Sequence, residues 1–174
     1  MKKQIIYEGK YRRFIIQRGW EYVERTVCDG IVVILAVTKD KKIILVEQER
    51  VPVGGSVIEL PAGLVADDED KKGESLEVAA RRELLEETGY EAKKMKFIAK
   101  GPANSATASD ILNFFYAIDI KKTGKGGGDH LEDITVHEVP LKKVAAWLIK
   151  KMKSGTHVDP KVYAALYWYE KFLS

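Results

Sequence analysis

The seven-residue apolar run Ile31 to Val37 constrains this 174-residue chain more than any other feature. A run that is apolar on both of its faces reads as a strand buried on both sides, and it needs other layers to cover it. The polar turn Lys39-Asp40-Lys41-Lys42 closes it, and Ile43-Ile44-Leu45-Val46 is predicted to return as its hairpin partner. Upstream, Phe14-Ile15-Ile16 and Tyr22 to Val27 read as extended segments around a turn near Gly19. Downstream, strands are predicted at Val57 to Leu60, Met95 to Ala99, Leu112 to Ile120 and Ile134 to Val139. Two helices close the chain. One runs from Leu141 to Lys153, and the other has Asp159 as N-cap and Pro160 at its first position. The aromatic residues of that last helix are expected in the core. The architecture these elements build is α/β, a mixed sheet between helices.

Composition removes several function classes. Lys plus Arg total 29 against 26 Asp plus Glu, a net charge of +3, which does not argue for nucleic acid or an anionic membrane as partner. The single cysteine, Cys28, excludes an internal disulfide framework and a multi-cysteine metal site. No apolar run approaches the roughly 20 residues of a membrane span, and Met1 to Glu8 is too short and polar for a signal peptide. A cytoplasmic location is expected.

The chemistry concentrates on the helix predicted from Glu74 to Thr88. Ser75 suits its N-cap, and Gly89 suits the left-handed position that ends it. At about 100° per residue, Leu76, Ala80, Glu83 and Glu87 share one face, with Ala79 and Glu86 beside it and Val78 and Leu85 nearly opposite. Two carboxylates among small apolar side chains repel and lose hydration, so a divalent cation is the simplest way to hold them together. Magnesium favours such a partial shell of carboxylates completed by water and phosphate. The alternative is a solvated acidic helix end, with Arg81 and Arg82 in exposed ion pairs. Zinc is disfavoured, since His130, His137 and His157 form no ligand pair.

At these residues the chain resembles the Nudix hydrolases. Their box reads Gly, five residues, Glu, seven residues, then Arg-Glu-hydrophobic-x-Glu-Glu-x-Gly-hydrophobic. Here Glu74 is followed by seven residues and then Arg82-Glu83-Leu84-Leu85-Glu86-Glu87-Thr88-Gly89-Tyr90. Ten residues rather than five separate Gly63 from Glu74, an insertion expected to reshape the charged loop around Asp67 to Lys72 and to leave the helix intact. The similarity extends to the ADP-ribose/ADP-sugar pyrophosphatase branch through Gly19 to Thr26, Val46 to Arg50, Gly54 to Leu64, Leu131 to Val136 and Val158 to Tyr163.

That resemblance implies a Nudix α/β/α sandwich with a mixed β-sheet, residues 30–174, preceded by an N-terminal β-strand arm, residues 1–29, which exchanges between the subunits of a homodimer. It implies Mg²⁺, with Mn²⁺ as a substitute, held by the Ala62 carbonyl, Glu83 and Glu87, with Glu86 as an additional ligand. Arg82 would orient these glutamates, and Glu132 would be the catalytic base, unless it is an exposed acid in a turn. Arg50 would hold a phosphate of the diphosphate, and Leu64 would line the substrate site. Trp20 would stack on the base, with Glu21 and Arg25 nearby, unless Trp20 merely packs on its strand. The glycine-rich stretch Lys121 to Asp129 is expected to be a flexible tether to Glu132. The reaction implied is hydrolysis of a nucleoside diphosphate sugar to a nucleoside monophosphate and a sugar phosphate. GDP-mannose, a nucleoside triphosphate, or ADP-ribose sensing without catalysis are the alternatives. The branch's proline after the box is displaced here, because Asn104-Ser105 occupy its place and Pro102 comes early.

Overall fold

The structure, a computed structural model, describes residues 2–28, 30–66, 69–128 and 133–174. The arm is a three-stranded antiparallel meander of β1 (Gln4–Glu8), β2 (Arg12–Gln17) and β3 (Trp20–Arg25). The β2–β3 turn is tight: Gln17 pairs with Trp20, and both Arg18 and Gly19 take positive φ, the geometry that matches the twist of a two-residue hairpin.

The body has two four-stranded mixed sheets. One is ordered β7 (Ala62–Val65), β4 (Gly30–Ala36), β9 (Ile111–Lys122), β8 (Tyr90–Pro102), with β4 and β9 parallel. The other is ordered β10 (Thr135–Pro140), β5 (Lys42–Arg50), β6 (Gly55–Glu59), β11 (His157–Val158), with β6 and β11 parallel. Strand period explains how β4 serves two cores. Val33 and Leu35 point into one core, shared with β5, β6, α2 (Val144–Lys153) and α3 (Pro160–Trp168). Val32, Ile34 and Ala36 point into the other, packed beneath α1 (Leu76–Thr88). Helices therefore cover both sides, as an α/β/α sandwich requires. Among the described residues, no helix is long and apolar enough to cross a membrane.

Three expectations are corrected. β4 and β5 do not form a hairpin; a single bridge, Val37 to Ile43, joins them before they diverge into different sheets. Each is apolar on both faces, so each takes an interior place in its own sheet, β4 between β7 and β9 and β5 between β10 and β6. The aromatic residues of α3 divide by helix face. Trp168 is half-buried and packs edge-on against Phe114 of the core, whereas Tyr163 and Tyr167 are exposed. The third concerns the glycine-rich stretch, which is not a free tether. Gly127 N–H donates to the Glu87 carbonyl (2.8 Å), Gly128 N–H to that of Glu86 (3.1 Å), and Gly124 N–H to that of Gly89 (3.0 Å).

Candidate active site

α1 begins two residues later than predicted, at Leu76. The Ser75 side chain caps it by accepting from Val78 N–H (3.3 Å), and Gly89 ends it at φ 73°. Glu74 precedes the extended Ser75 cap and so lies outside the helix, with its carboxylate engaged by Arg82. Of the predicted face, Ala79, Ala80 and Glu87 are buried, Leu76 and Glu83 are half-buried and Glu86 is exposed; Leu84 is also buried, and Val78 and Leu85 are exposed as expected.

Arg82 organises the acidic face. Its Nε and Nη2 donate to the two Glu74 oxygens (3.0 and 3.1 Å). Its Nη1 donates to Glu83 (2.7 Å) and Glu86 (3.0 Å), and Nη2 also reaches the Leu64 carbonyl (2.9 Å). Burial works against the guanidinium charge, but the bonds to Glu74 and Glu83 outweigh it and raise the Arg82 pKa further. Arg82 in turn holds the Glu74 carboxyl below the ordinary carboxylate value. Arg81 forms the exposed ion pair with Glu77 that a solvated helix allows; Arg82 does not.

The carboxylates press against the chain entering β7. Glu87, 2% exposed, accepts from the Ala62 amide (3.1 Å). A Cβ on Gly63 would lie 1.9 Å from the Glu83 carboxyl carbon, so a side chain at this position would make the Glu83 carboxylate swing aside. Among the described residues, no three His, Cys, Asp or Glu side chains converge into a ready ligand set. A cation would therefore rest on Glu83, Glu87, main-chain oxygen at Ala62 and water, a hard-oxygen donor set that suits Mg²⁺. With the insertion present, α1 is continuous from Leu76 to Thr88 and Arg82 bonds the Leu64 carbonyl.

Ala62, Gly63, Leu64, Arg82, Glu83 and Glu86 line a cleft of about 470 Å³, whereas Glu87 is buried and not part of its lining. The rest of the lining holds the basic groups Arg25, Arg50, Lys71 and Lys161, the acids Glu59 and Asp110, and apolar residues of β4 and β9. Arg50 Nε donates to Glu59 (2.7 Å). The Arg25 Nε is buried without a hydrogen bond, 3.4 Å from Asp110 Oδ1. Lys71, Lys161, Glu59 and Asp110 had no place in the sequence reading of the site. Lys161 stood within the motif Val158 to Tyr163, but only the fold brings that helix start to the cleft.

Trp20 and Glu21 are not brought to this cleft. Trp20, 61% exposed, lines a separate groove with Arg18, Tyr22, Ser105 and Ala106, so it does not pack on its strand. Glu21 is exposed on the same strand. The loop before β9 spans both places, with Ala103 in the cleft and Ser105 in the Trp20 groove. Asn104 folds this loop by accepting from the amides of Ala106 and Thr107 (both 3.1 Å). Glu132 lies outside the described residues.

The NUDIX domain description matches residues 29–161. The chain belongs to the Nudix family. A methanol dehydrogenase activator of Bacillus methanolicus is 34% identical over 70% of this Nudix chain, which spans 64% of that protein's length. An ADP-ribose pyrophosphatase of Bacillus subtilis (strain 168) is 36% identical, covering 79% of this chain and 70% of that one. A GDP-mannose pyrophosphatase of Escherichia coli (strain K12) is 29% identical, with 90% and 76% covered. A crystal structure of an ADP compounds hydrolase superposes with a TM-score of 0.74 at 21% identity, over 99% of this chain and 92% of the other, and shares the Nudix fold.

Proposed function

We propose that this chain hydrolyses the diphosphate of ADP-ribose or a related nucleoside diphosphate sugar, with Mg²⁺, to a nucleoside monophosphate and a sugar phosphate. It is a Nudix pyrophosphohydrolase in this reading. The observation that carries the proposal is the cleft itself, which gathers Glu83 and Glu86, next to the buried Glu87 on the Ala62 amide, with the cations Arg25, Arg50, Lys71 and Lys161. A diphosphate with a cation satisfies both kinds of group at once. The names of the curated pyrophosphatase relatives support the substrate class.

Glu83 and Glu87 would hold the cation with the Ala62 carbonyl, and Glu86 would contribute from the cleft rim. When bound, Mg²⁺ neutralises charge on the phosphate oxygens and acidifies water. Arg82 holds Glu83 and Glu86 in register through its hydrogen bonds. Arg50 and Arg25 bind phosphate oxygens, the latter with a donor that, among the described residues, has the Asp110 ion pair but no hydrogen bond. Water attacks one phosphorus, its proton passes to Glu132, and the bridging P–O bond breaks. Trp20 and Glu21, exposed and away from the cleft, serve the base site of a second copy in a homodimer whose arms, residues 1–29, exchange. The exposed Ile5, Ile6 and Tyr7 of β1 support such an assembly. A cytoplasmic location belongs to the same proposal.

The test is a panel of nucleoside diphosphate sugars and triphosphates with Mg²⁺, run on the wild type and Glu83→Gln. The expected result is nucleoside monophosphate and sugar phosphate, with turnover in the folded variant lower by about 10³-fold or more, the scale of a lost electrostatic group. Pyrophosphate release from triphosphates alone, or near-normal activity of Glu83→Gln, overturns the proposal.

A further inference from the structure

The last carbonyls of a helix have no partner within it and usually turn to water. In α1 they do not. The Leu85 carbonyl accepts from Gly89 N–H (2.8 Å), and the Thr88 hydroxyl bonds back to Leu84. The carbonyls of Glu86 and Glu87, the residues whose side chains face the cleft and the core, accept from Gly128 and Gly127. The Gly89 carbonyl accepts from Thr123 (2.9 Å) and Gly124 N–H. The connection leaving β9 thus supplies the donors for the Glu86, Glu87 and Gly89 carbonyls.

The contact is main chain against main chain. A Cβ on Gly126 would lie 2.5 Å from the Thr88 carbonyl carbon and 2.8 Å from the Glu87 carbonyl oxygen. A Cβ on Gly89 would lie 2.3 Å from the Gly124 carbonyl oxygen. Neither neighbour is a flexible side chain that can swing aside. Gly126, Gly127 and Gly128 all have positive φ, which turns consecutive amides toward the helix end.

We propose that residues 123–128 are a main-chain clamp on the C-terminal turn of α1, and that Gly126 is a positioning residue for the carboxylates of Glu86 and Glu87. The clamp rests on the reading of these glutamates as cation ligands. Ligand geometry tolerates displacements of only about 0.5 Å, and a side chain at 126 displaces the backbone that carries both residues. The glycines are therefore required for cation affinity, beyond the freedom they give a turn.

The test measures Mn²⁺ binding by electron paramagnetic resonance, with thermal melts to establish folding. Gly126→Ala is expected to stay folded and bind Mn²⁺ about tenfold more weakly, the lower end of effects seen when groups supporting metal ligands are altered. Gly155→Ala is the control for left-handed strain alone. It has φ 92° and no atom within 4 Å of a new Cβ, and it should keep wild-type affinity. Should Gly126→Ala fail to fold, Gly127→Ala decides by the same readout. Its Cβ meets nothing closer than the Ile134 carbonyl at 3.9 Å, but φ 111° strains an alanine at the residue whose N–H holds the Glu87 carbonyl, so Mn²⁺ binding should weaken here as it does not at Gly155. Wild-type Mn²⁺ affinity in a folded clamp variant overturns the proposal. Equal Mn²⁺ binding by wild type and Glu87→Gln overturns the ligand reading itself, and the clamp with it.

Discussion

Arg82 couples stability to chemistry in a single side chain, because the same guanidinium holds Glu74, Glu83, Glu86 and the Leu64 carbonyl. Its side chain is 18% exposed, so Arg82→Ala leaves two poorly hydrated carboxylates without their counter-charge. We expect a loss of about 2–3 kcal/mol in urea denaturation, with turnover falling as well. The Glu74 carboxyl predicts how this depends on pH. Its folded pKa lies below the ordinary 4.5, chiefly through the Arg82 bond. A lowered carboxylate pKa contributes stability that is present above the unfolded value and lost as pH falls through the folded one. Denaturation midpoints measured from pH 7 to 3 should therefore drop more steeply below 4.5 in wild type than in Glu74→Gln. Equal slopes would refute the coupling. The spacing of the box announced Arg82, but Asp110, Lys71 and Lys161 were illegible. Lone charges in loops or at helix starts carry no period, and their meeting is a tertiary fact.

At the scale of elements, α1 was legible almost throughout, since a 3.6-residue period, a serine cap and a terminal glycine are local signals. Its two faces make a contrasting prediction. Leu84 is fully buried, so Leu84→Ala should cost about 2–5 kcal/mol. Val78 is exposed, and Val78→Ala should stay within about 0.5 kcal/mol. Chemical denaturation of both variants checks the assignment, and equal effects would contradict the helix orientation. β7 was missed because Pro61 and Gly63 mark irregular chain, while this short strand is specified by pairing with β4 and by the close approach of Glu83. The glycine stretch was misread for a related reason. Composition reports freedom in an unfolded segment, whereas the clamp uses the same glycines for close approach.

For the whole molecule, the arm and the body pose the question of assembly. β3 joins the body through Val23, whose amide donates to Thr107 (2.9 Å) and whose carbonyl accepts from Ser109 (3.1 Å), while Trp20 faces away from the cleft. If the site is shared between copies, Trp20→Ala and Glu83→Gln chains, each weakly active alone, should regain activity when refolded together. The mixed dimer then holds one intact site. Absence of recovery in a dimer shown by light scattering would reject the shared site. The sequence by itself determined the helix that carries the glutamates, its caps, its buried face and the Nudix box, because each depends on neighbours within a few residues. The tertiary structure alone decided that β4 and β5 part into different sheets. It alone placed Arg25, Arg50, Lys71 and Lys161 around one cleft, and it made the glycine connection the end-cap of α1. Those outcomes depend on contacts between segments far apart in the chain, where pairing and burial, not local propensity, select the partner.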